Sequence, residues 1–429
     1  MSTALDRTQA PPFQPVGAIS IARATSDALP NGTPRHVIRA GAQPVVGLEL
    51  IFPAGTWFES TRGAAFFLSK LLLEGTRRRS GAEIQEAFSR WGTFPRVTAT
   101  PDHLTVAVYT VKRFLPEVLP LLVEVLQEAT LPAEEFENQR RIQQQTLQVN
   151  LQKTSFVAGR TFRGLLFGDE HPYGAGVTEA HLAKLNRDAV AGLYEQNVRT
   201  MPAELILAGD VTDDVLALVD RTLGRVARAD APLTAPVHTT HVRVTREATA
   251  VFPTGQQSSI RVGRVLFTPH HQDVHRFQVL NEICGGYFGS RLMRNIREEK
   301  GYTYGISSGY AALRHAGYWI IGTDVKREAT EATFAEVHHE LGRLREELVS
   351  EKELDTVRNY MLGTLAGSIT TPFELADKFK GVHFRGLDYD YYEQRVRTIR
   401  EVTPEALRET ARRYFDPSEL VEVTAGERV

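Results

Sequence analysis

The chain has almost no cysteine, since Cys284 is the single one among 429 residues. It has no partner for an intramolecular disulfide, and a zinc site built from several thiolates is excluded as well. Long apolar segments are also absent: no run of about 18 or more apolar residues occurs, so the sequence predicts no membrane span. The N-terminus lacks a basic start followed by an apolar core, and we therefore expect a cytoplasmic protein.

Neither sign of charge is in large excess. The formal net charge is −2, while 42% of the residues are apolar. This balance argues against a nucleic acid or an anionic membrane as a partner that is recruited by bulk charge. The length exceeds the roughly 100–200 residues of a typical domain, so two or more domains are expected.

The second half of the chain repeats a pattern of the first half. A predicted helix that opens near Pro132 and another that opens near Ser350 share similar residues at a constant spacing of 218 positions. Ser350 and Glu353 predict a capping box for the second helix, as Ser80 and Glu83 do for an earlier one. The paired positions are Leu131 with Val349, Phe136 with Leu354, Arg140 with Arg358, Thr146 with Thr364, and Leu147 with Leu365. A strand, a helix and a hairpin precede this helix in both halves, so we predict a duplicated chain.

Each half mixes hairpin-connected strands with helices. This pattern favours an α+β fold of two duplicated domains, each a mostly antiparallel sheet with helices packed on one face. A segment rich in alanine, proline and threonine separates the halves. The predicted divisions are a flexible N-terminal arm at 1–15, an N-terminal domain at 16–228, a linker at 229–245 and a C-terminal domain at 246–429.

The segment from Cys284 to Tyr310 carries the most informative chemistry. Its glycines precede a predicted helix, but no phosphate-loop spacing occurs, which argues against nucleotide binding. Arg297 lies in the last turn of the helix predicted over 290–300, and Tyr304 follows beyond the break. A turn can bring these side chains together, where they would offer several donors to a carbonyl or an oxyanion. The alternative is a helix-end charge beside a half-buried strand tyrosine.

Spacing predicts two further features of this segment. Tyr304 and Ile306 alternate with their neighbours as in a strand, whose side chains repeat with a period of two. Arg291, Arg294 and Arg297 lie three apart on the predicted helix, which indicates a partly basic and solvated face. These two patterns by themselves assign no function.

Histidine pairs offer a second kind of candidate site. His271 and His275 lie four apart with Asp273 between them, which could place a metal site on a helix start. The alternative is a solvated first turn of that helix. His238 and His241 would point to opposite faces of a strand, so joint ligation of one ion is not expected.

The run from Ser290 to Leu292, followed by Arg297 and then Tyr304, resembles the C-terminal-domain signature of the insulinase-like zinc peptidases. That family includes pitrilysin and the mitochondrial processing peptidase. The stretches HPYG, LILAGD and EGTRRRSGAEI are similar to other family segments, and the resemblance spans roughly residues 30–425. It implies a processing-peptidase-like metallohydrolase fold of two related domains.

Active members of this family carry His-x-x-Glu-His just before a Gly-Thr turn. Two histidines at i and i+4 share one helical face and bind zinc, while the glutamate acts as general base on the zinc-bound water. In this sequence the resemblance assigns these positions to Phe66, Ser69 and Lys70, and the later glutamate ligand to Thr146. We therefore expect a degenerate metal site, with no metal or other cofactor bound by this chain. One hypothesis is that Lys70 forms hydrogen bonds within the vacated site.

The resemblance thus favours a noncatalytic subunit of a heterodimeric zinc metallopeptidase. A homologous partner bearing His-x-x-Glu-His would hold the Zn²⁺, and the family implies that Arg297 and Tyr304 act across the interface on the substrate carbonyl. The substrate would be a peptide or an unfolded protein segment. Two alternatives stay open: a structural or scaffold subunit of the same fold without a proteolytic role, and a peptide-binding, chaperone-like homodimer.

Overall fold

The computed structural model describes Thr8 and residues 16–200, 202–228, 235–238, 245–252 and 255–427. Apart from Thr8, the predicted arm at 1–15 lies outside the described residues, as does most of the predicted linker at 229–245, so both divisions stay predictions. None of the helices in the described ranges combines the length and the apolar character that crossing a membrane requires.

The first sheet is built from six strands in the order β1-β2-β6-β3-β5-β4. The pairs are antiparallel except for β2 and β6, which run parallel. Its strands are β1 Thr25–Ala28, β2 Pro34–Arg39, β3 Val45–Phe52, β4 Arg96–Ala99, β5 Leu104–Val111 and β6 Glu204–Gly209.

The second sheet has five strands in the order β7-β11-β8-β10-β9. Here too the strand pairs are antiparallel except for one, since β7 and β11 run parallel. Its strands are β7 Glu247–Ala250, β8 Gln257–Leu266, β9 Thr303–Ala312, β10 Gly317–Lys326 and β11 Val421–Ala425.

The two sheets have the same topology. In sequence order, β2 to β6 of the first sheet correspond one by one to β7 to β11 of the second. Corresponding strands occupy the same positions in the two sheets, and the parallel pair is in the same place. Strand β1 is the one addition to the first sheet. This correspondence confirms the predicted α+β fold of two duplicated, mostly antiparallel units.

Helices of the first half pack on the sheet formed by that half. Apolar side chains of β3 and β5 form the main core with those of the helices, including Phe67, Leu122 and Val219. The helices are α1 Ala64–Leu71, α2 Gly81–Ser89, α3 Leu115–Glu128, α4 Ala133–Leu151, α5 Thr154–Phe167, α6 Glu179–Lys184, α7 Arg187–Tyr194 and α8 Asp213–Thr222. Ser80 and Glu83 form the predicted capping box at the start of α2.

The second half repeats this arrangement around a core that includes Phe277, Trp319 and Leu354. Its helices are α9 Val274–Asn281, α10 Thr330–Glu346, α11 Glu351–Gly367, α12 Pro372–His383, α13 Asp390–Glu401 and α14 Pro404–Tyr414. The capping box predicted for α11 forms only by half. Ser350 accepts the backbone N–H of Glu353, but the Glu353 carboxylate binds Arg291 instead of the N-cap backbone.

One helix of each half covers the sheet of the other half. Phe162 and Leu165 of α5 belong to an apolar cluster with β11 of the second sheet. In return, Leu375 and Phe379 of α12 belong to a cluster with Ile206 and its neighbours on the first sheet. Both helices directly follow the long repeated helix of their half, α4 or α11. The duplication therefore includes a reciprocal helix exchange, which joins the halves into one packed structure.

Candidate functional site

Helix α1 is where an active peptidase of the resembling family would carry its zinc-binding motif. The helix begins after Gly63, whose φ of 99° is a left-handed conformation that favours glycine. Phe66 and Lys70 lie on one face, with the Lys70 Nζ atom 5.4 Å from the centre of the Phe66 ring. The Ser69 hydroxyl donates to the Phe66 carbonyl oxygen at 2.6 Å, a bond within the helix. The Lys70 ammonium thus makes a cation–π contact, and the hypothesis that it also forms hydrogen bonds in this site stays a prediction.

The fourth position, Thr146, lies exposed on α4, which packs against α1. Phe67 and Phe136 connect the two helices, with ring centres 5.4 Å apart. The structure therefore brings together the helices that carry the four positions. Their donor set does not fit zinc, because an aromatic ring and an ammonium group offer no lone pair and the two hydroxyls are poor ligands.

Tyr304 lies at the start of β9 and is 96% exposed. The alternation predicted from the sequence fails here because of a β-bulge. Ile306 pairs with Thr323 and Thr303 pairs with Val325, so three steps along β9 match two steps along β10. The extra residue turns Tyr304 away from the face on which Ile306 is buried. The bulge thereby aims the phenol at solvent.

Threonine hydroxyls hold this bulge. Both Thr303 Oγ1 and Thr323 Oγ1 donate to the carbonyl oxygen of Gly305, each at 3.0 Å. The outward direction of Tyr304 therefore follows from the backbone and does not depend on a rotamer choice alone.

Arg297 lies in a π-helical segment, Met293–Glu299, that packs beside β9. Its Cζ atom is 4.6 Å from the ring centre of Phe288, an exposed side chain that the sequence reasoning did not single out. Stacking on the ring face leaves the guanidinium N–H groups free to donate. Within the described ranges, neither Arg297 nor Tyr304 has a hydrogen-bond or ion-pair partner.

Two protein-family models match this chain. Residues 37–163 match the family model described as Insulinase (Peptidase family M16), and residues 184–361 match the one described as Peptidase M16 inactive domain. Together these matches span more than half of the chain. The chain belongs to the insulinase family.

Relatives of this insulinase-family chain include the uncharacterized zinc protease YmxG of Bacillus subtilis, which is 21% identical over 72% of this chain and 74% of its own length. The non-peptidase homolog YmxG of Helicobacter pylori is 21% identical over 70% of each chain. The crystal structure of a peptidase M16 inactive domain from Pseudomonas fluorescens has a TM-score of 0.85 at 21% identity, covering 95% of this chain and 98% of that one. The side chains at the zinc positions of α1 and α4 do not fit the metal. Together with these findings, they identify the chain as a noncatalytic type of insulinase-family protein.

The histidine pair singled out from the sequence does not form a metal site. His271 Nδ1 accepts the backbone N–H of Asp273, and His275 is buried. The Asp273 carboxylate instead binds Arg413 at 2.5 Å and the Tyr414 hydroxyl at 2.7 Å. The alternative prediction, a solvated first turn of the helix, is also wrong for His275 and Asp273, because both side chains are buried.

Glu59 is a site residue that the sequence reasoning missed. Its Oε2 atom accepts the backbone N–H of Ala65 at 3.0 Å, so the carboxylate lies at the N-terminus of α1 in this insulinase-family fold. Burial raises the pKa of the Glu59 carboxyl to about 7, although the backbone N–H groups of Ala65 and Gly63 and the charge of Arg62 act against the increase. A carboxyl group that protonates near neutral pH thus lies at the start of the degenerate helix.

This pKa predicts a pH-dependent stability. The folded pKa lies above the unfolded value of 4.5, so the contribution to stability is full below pH 4.5 and is lost as the pH rises to about 7. The change Glu59→Gln keeps an acceptor for Ala65 without the charge. We expect the variant to be more stable than wild type by about 2 kcal/mol at pH 8, where the full shift is discounted for partial exposure, and by only about 0.5 kcal/mol at pH 5. Urea unfolding at both values measures this.

The exposed Glu117, in the first turn of α3, provides the matched control. Glu117→Gln should change the free energy of unfolding by no more than about 0.5 kcal/mol at either pH. The same pH dependence in the Glu59 variant and in wild type would show that Glu59 does not carry the effect.

Proposed function

We propose that this chain is the noncatalytic subunit of a heterodimeric zinc metallopeptidase and supplies Arg297 and Tyr304 to the zinc site of a homologous partner. The observation that carries the proposal is the almost full exposure of Tyr304, which the bulge in β9 turns to solvent. A phenol and a guanidinium without partners in the described structure are donors available to another molecule.

The donor set of α1 supports the assignment of hydrolysis to another chain. Phe66, Ser69, Lys70 and Thr146 do not supply the two histidines, the general base and the third ligand that such a reaction requires. In the proposed complex, a partner bearing His-x-x-Glu-His holds the Zn²⁺ and activates water there. The name of the Helicobacter pylori relative, a non-peptidase homolog, agrees with this division of roles.

The surroundings of Tyr304 suit an extended peptide. Strand β9 forms the edge of the second sheet, and a groove of about 590 Å³ lies across β8, β10 and β9, lined by Arg261, Tyr304, Ser307 and Asp324 among others. The outer edge of a sheet presents unpaired backbone groups, which an added strand can pair. We therefore propose a peptide or an unfolded segment of a protein as the substrate.

Arg297 and Tyr304 have distinct parts in this proposal. The Arg297 guanidinium, held by the ring of Phe288, offers N–H donors in a fixed plane, and Tyr304 offers one O–H donor. Both would bind the oxygen of the substrate carbonyl near the bond to be cleaved. Negative charge develops on that oxygen in the transition state, so the two hydrogen bonds strengthen as the reaction proceeds and the barrier falls.

A co-purification experiment tests the assignment. This chain, a homologous chain that carries His-x-x-Glu-His, and their mixture are each assayed with unfolded peptides. We expect no cleavage by this chain alone and cleavage by the mixture that a chelator abolishes and Zn²⁺ restores. Size measurement of the mixture should show a one-to-one complex.

Three results would contradict the proposal in different ways. Robust, chelator-sensitive cleavage by this chain alone would overturn the noncatalytic role. A stable complex whose activity equals that of the partner alone would favour the scaffold alternative. A peptide-binding homodimer would instead appear as a dimer of this chain that binds peptide without the partner.

A further inference from the structure

Three potential metal ligands converge where α12 of the second half docks on the first sheet. They are His36 on β2, Glu204 on β6 and His383 at the end of α12. The Glu204 Oε2 atom lies 2.9 Å from His36 Nε2 and 2.6 Å from His383 Nε2. Within the described part of the chain, this is the one group of three such side chains whose ligand atoms all lie within 4.8 Å of one another.

The exchange of helices between the halves does not itself require this cluster. The corresponding helix α5 docks on the second sheet through apolar side chains, including Phe162 and Leu165 against Val421 and Val423. The α5 contact includes one guanidinium, that of Arg261, which donates to the Ser155 carbonyl oxygen, whereas the α12 contact includes two imidazoles that share one carboxylate. Since burying such groups costs free energy that apolar contacts avoid, their presence calls for a specific role.

The dimensions of the cluster fit a small transition-metal ion. Zinc binds imidazole nitrogen and carboxylate oxygen at about 2.0–2.2 Å, which places the ligand atoms of a tetrahedral site roughly 3.3 Å apart. The two measured separations would each have to widen by about half an ångström, within the reach of side-chain rotation. The side chains of Glu204 and His383 are 32% and 34% exposed, so an ion can enter from solvent, whereas His36 is buried at the inner end.

Neighbouring groups orient the three ligands. The Nδ1 atom of His36 lies 2.8 Å from Ser26 Oγ, a hydroxyl that can accept its N–H and so leave the Nε2 lone pair free for an ion. The ring of Phe379 stacks on His383 with centres 4.8 Å apart and lies 4.7 Å from His36. The Glu204 Oε2 atom faces both imidazole rings and would be the carboxylate ligand of an ion held between them.

We propose that His36, Glu204 and His383 bind a divalent first-row transition-metal ion, with Zn²⁺ preferred by the donor set, and that the ion joins the two halves of the chain. Two imidazoles and one carboxylate are ligands that zinc accepts, and a fourth position is left for water. The site is separate from the degenerate site of α1 and independent of the proposed peptidase role. It departs from the expectation, drawn from the sequence, that the chain itself binds no metal.

Cobalt is the direct probe, because Co²⁺ occupies zinc sites and absorbs visible light when it is tetrahedrally coordinated. The metal-free full chain is titrated with Co²⁺ at pH 7.5, and then with Zn²⁺ in competition. We expect a visible band that saturates at one equivalent per chain and disappears when Zn²⁺ is added. His383→Gln and His36→Gln should each weaken binding at least about 10-fold, since even the loss of an outer-shell partner costs 10–100-fold.

His338→Gln is the matched control, because His338 also binds a carboxylate, that of Glu422, but the two belong to no group of three potential ligands among the described residues. This variant should keep the wild-type affinity for Co²⁺. A second readout is thermal unfolding, in which Zn²⁺ should raise the Tm of wild type and of the control but not that of the His383 variant. The absence of saturable Co²⁺ binding by wild type would overturn the proposal, as would equal affinities of the His383 and His338 variants.

Discussion

In the two-chain peptidase, Tyr304→Phe and Arg297→Ala are each expected to lower kcat/KM about 100- to 1,000-fold. The estimate corresponds to the roughly 2.7–4 kcal/mol that is lost when one donor to a developing oxyanion is removed. Tyr304 is 96% exposed in the isolated chain, so loss of its hydroxyl breaks no internal contact and should leave the free energy of unfolding unchanged. The effect is measured by steady-state cleavage of a peptide by the purified complex.

How the loss of activity is distributed between kcat and KM shows whether the donors act on the bound substrate or in the transition state. If they bind the carbonyl more strongly in the transition state, kcat falls while KM stays nearly constant. Arg297→Lys should recover only part of the activity, because an ammonium lacks the planar donor pair and stacks less well on Phe288.

Tyr360→Phe is the control for the loss of a phenol, since Tyr360 is also exposed but lies on α11 and packs against the Tyr287 ring. Its activity should match that of wild type. Unchanged kcat/KM in both the Tyr304 and Arg297 variants, in a complex that is active, would remove these residues from the mechanism and would favour the scaffold role.

Arg291→Ala is expected to destabilise the chain by about 3–5 kcal/mol. Arg291 was predicted to lie on a solvated basic face, but its side chain is only 7% exposed and binds the Glu353 carboxylate through two hydrogen bonds of 2.9 Å. Removal of the guanidinium would leave a largely buried carboxylate without its counter-charge, which costs more than the pair itself contributes. Urea unfolding at pH 7 measures the loss.

A double-mutant cycle separates this penalty from the value of the pair. Arg291→Ala combined with Glu353→Ala should destabilise less than the sum of the two single variants, because no unpaired buried charge remains. Arg294→Ala provides the control on the same helical segment, since this side chain is exposed and should cost no more than about 0.5 kcal/mol. A similar loss in the Arg291 and Arg294 variants would mean that burial of the ion pair is not the cause.

Local signals were reliable where one short segment contains all the interacting groups. The capping box of Ser80 and Glu83 forms as predicted because donor and acceptor lie three residues apart. Gly301 directly follows the segment predicted as a helix over 290–300, and its φ of 67° is the left-handed conformation that ends many helices. The capping box of Ser350 and Glu353 is only half formed because a side chain from another segment, Arg291, binds the Glu353 carboxylate.

The direction of Tyr304 shows why part of the site could not be predicted. Alternation along β9 predicts the face from one strand alone, but a bulge depends on how that strand pairs with its neighbour. The register between Ile306 and Thr323 shifts before Thr303 and Val325 pair, and this shift determines which way Tyr304 points. Phe288, which holds Arg297, was missed because a cation–π contact has no short-range sequence signal.

The sequence by itself determined what helix α1 cannot do and that the chain is duplicated. Both conclusions follow from residue identity at given spacings, since Phe66 and Lys70 lack the lone pairs of a zinc ligand in any conformation. Only the tertiary structure decided the exchange of α5 and α12 and the meeting of His36, Glu204 and His383. Glu204 lies 168 residues from the first histidine and 179 from the second. Packing of two halves against each other, and not local propensity, brings such distant groups together.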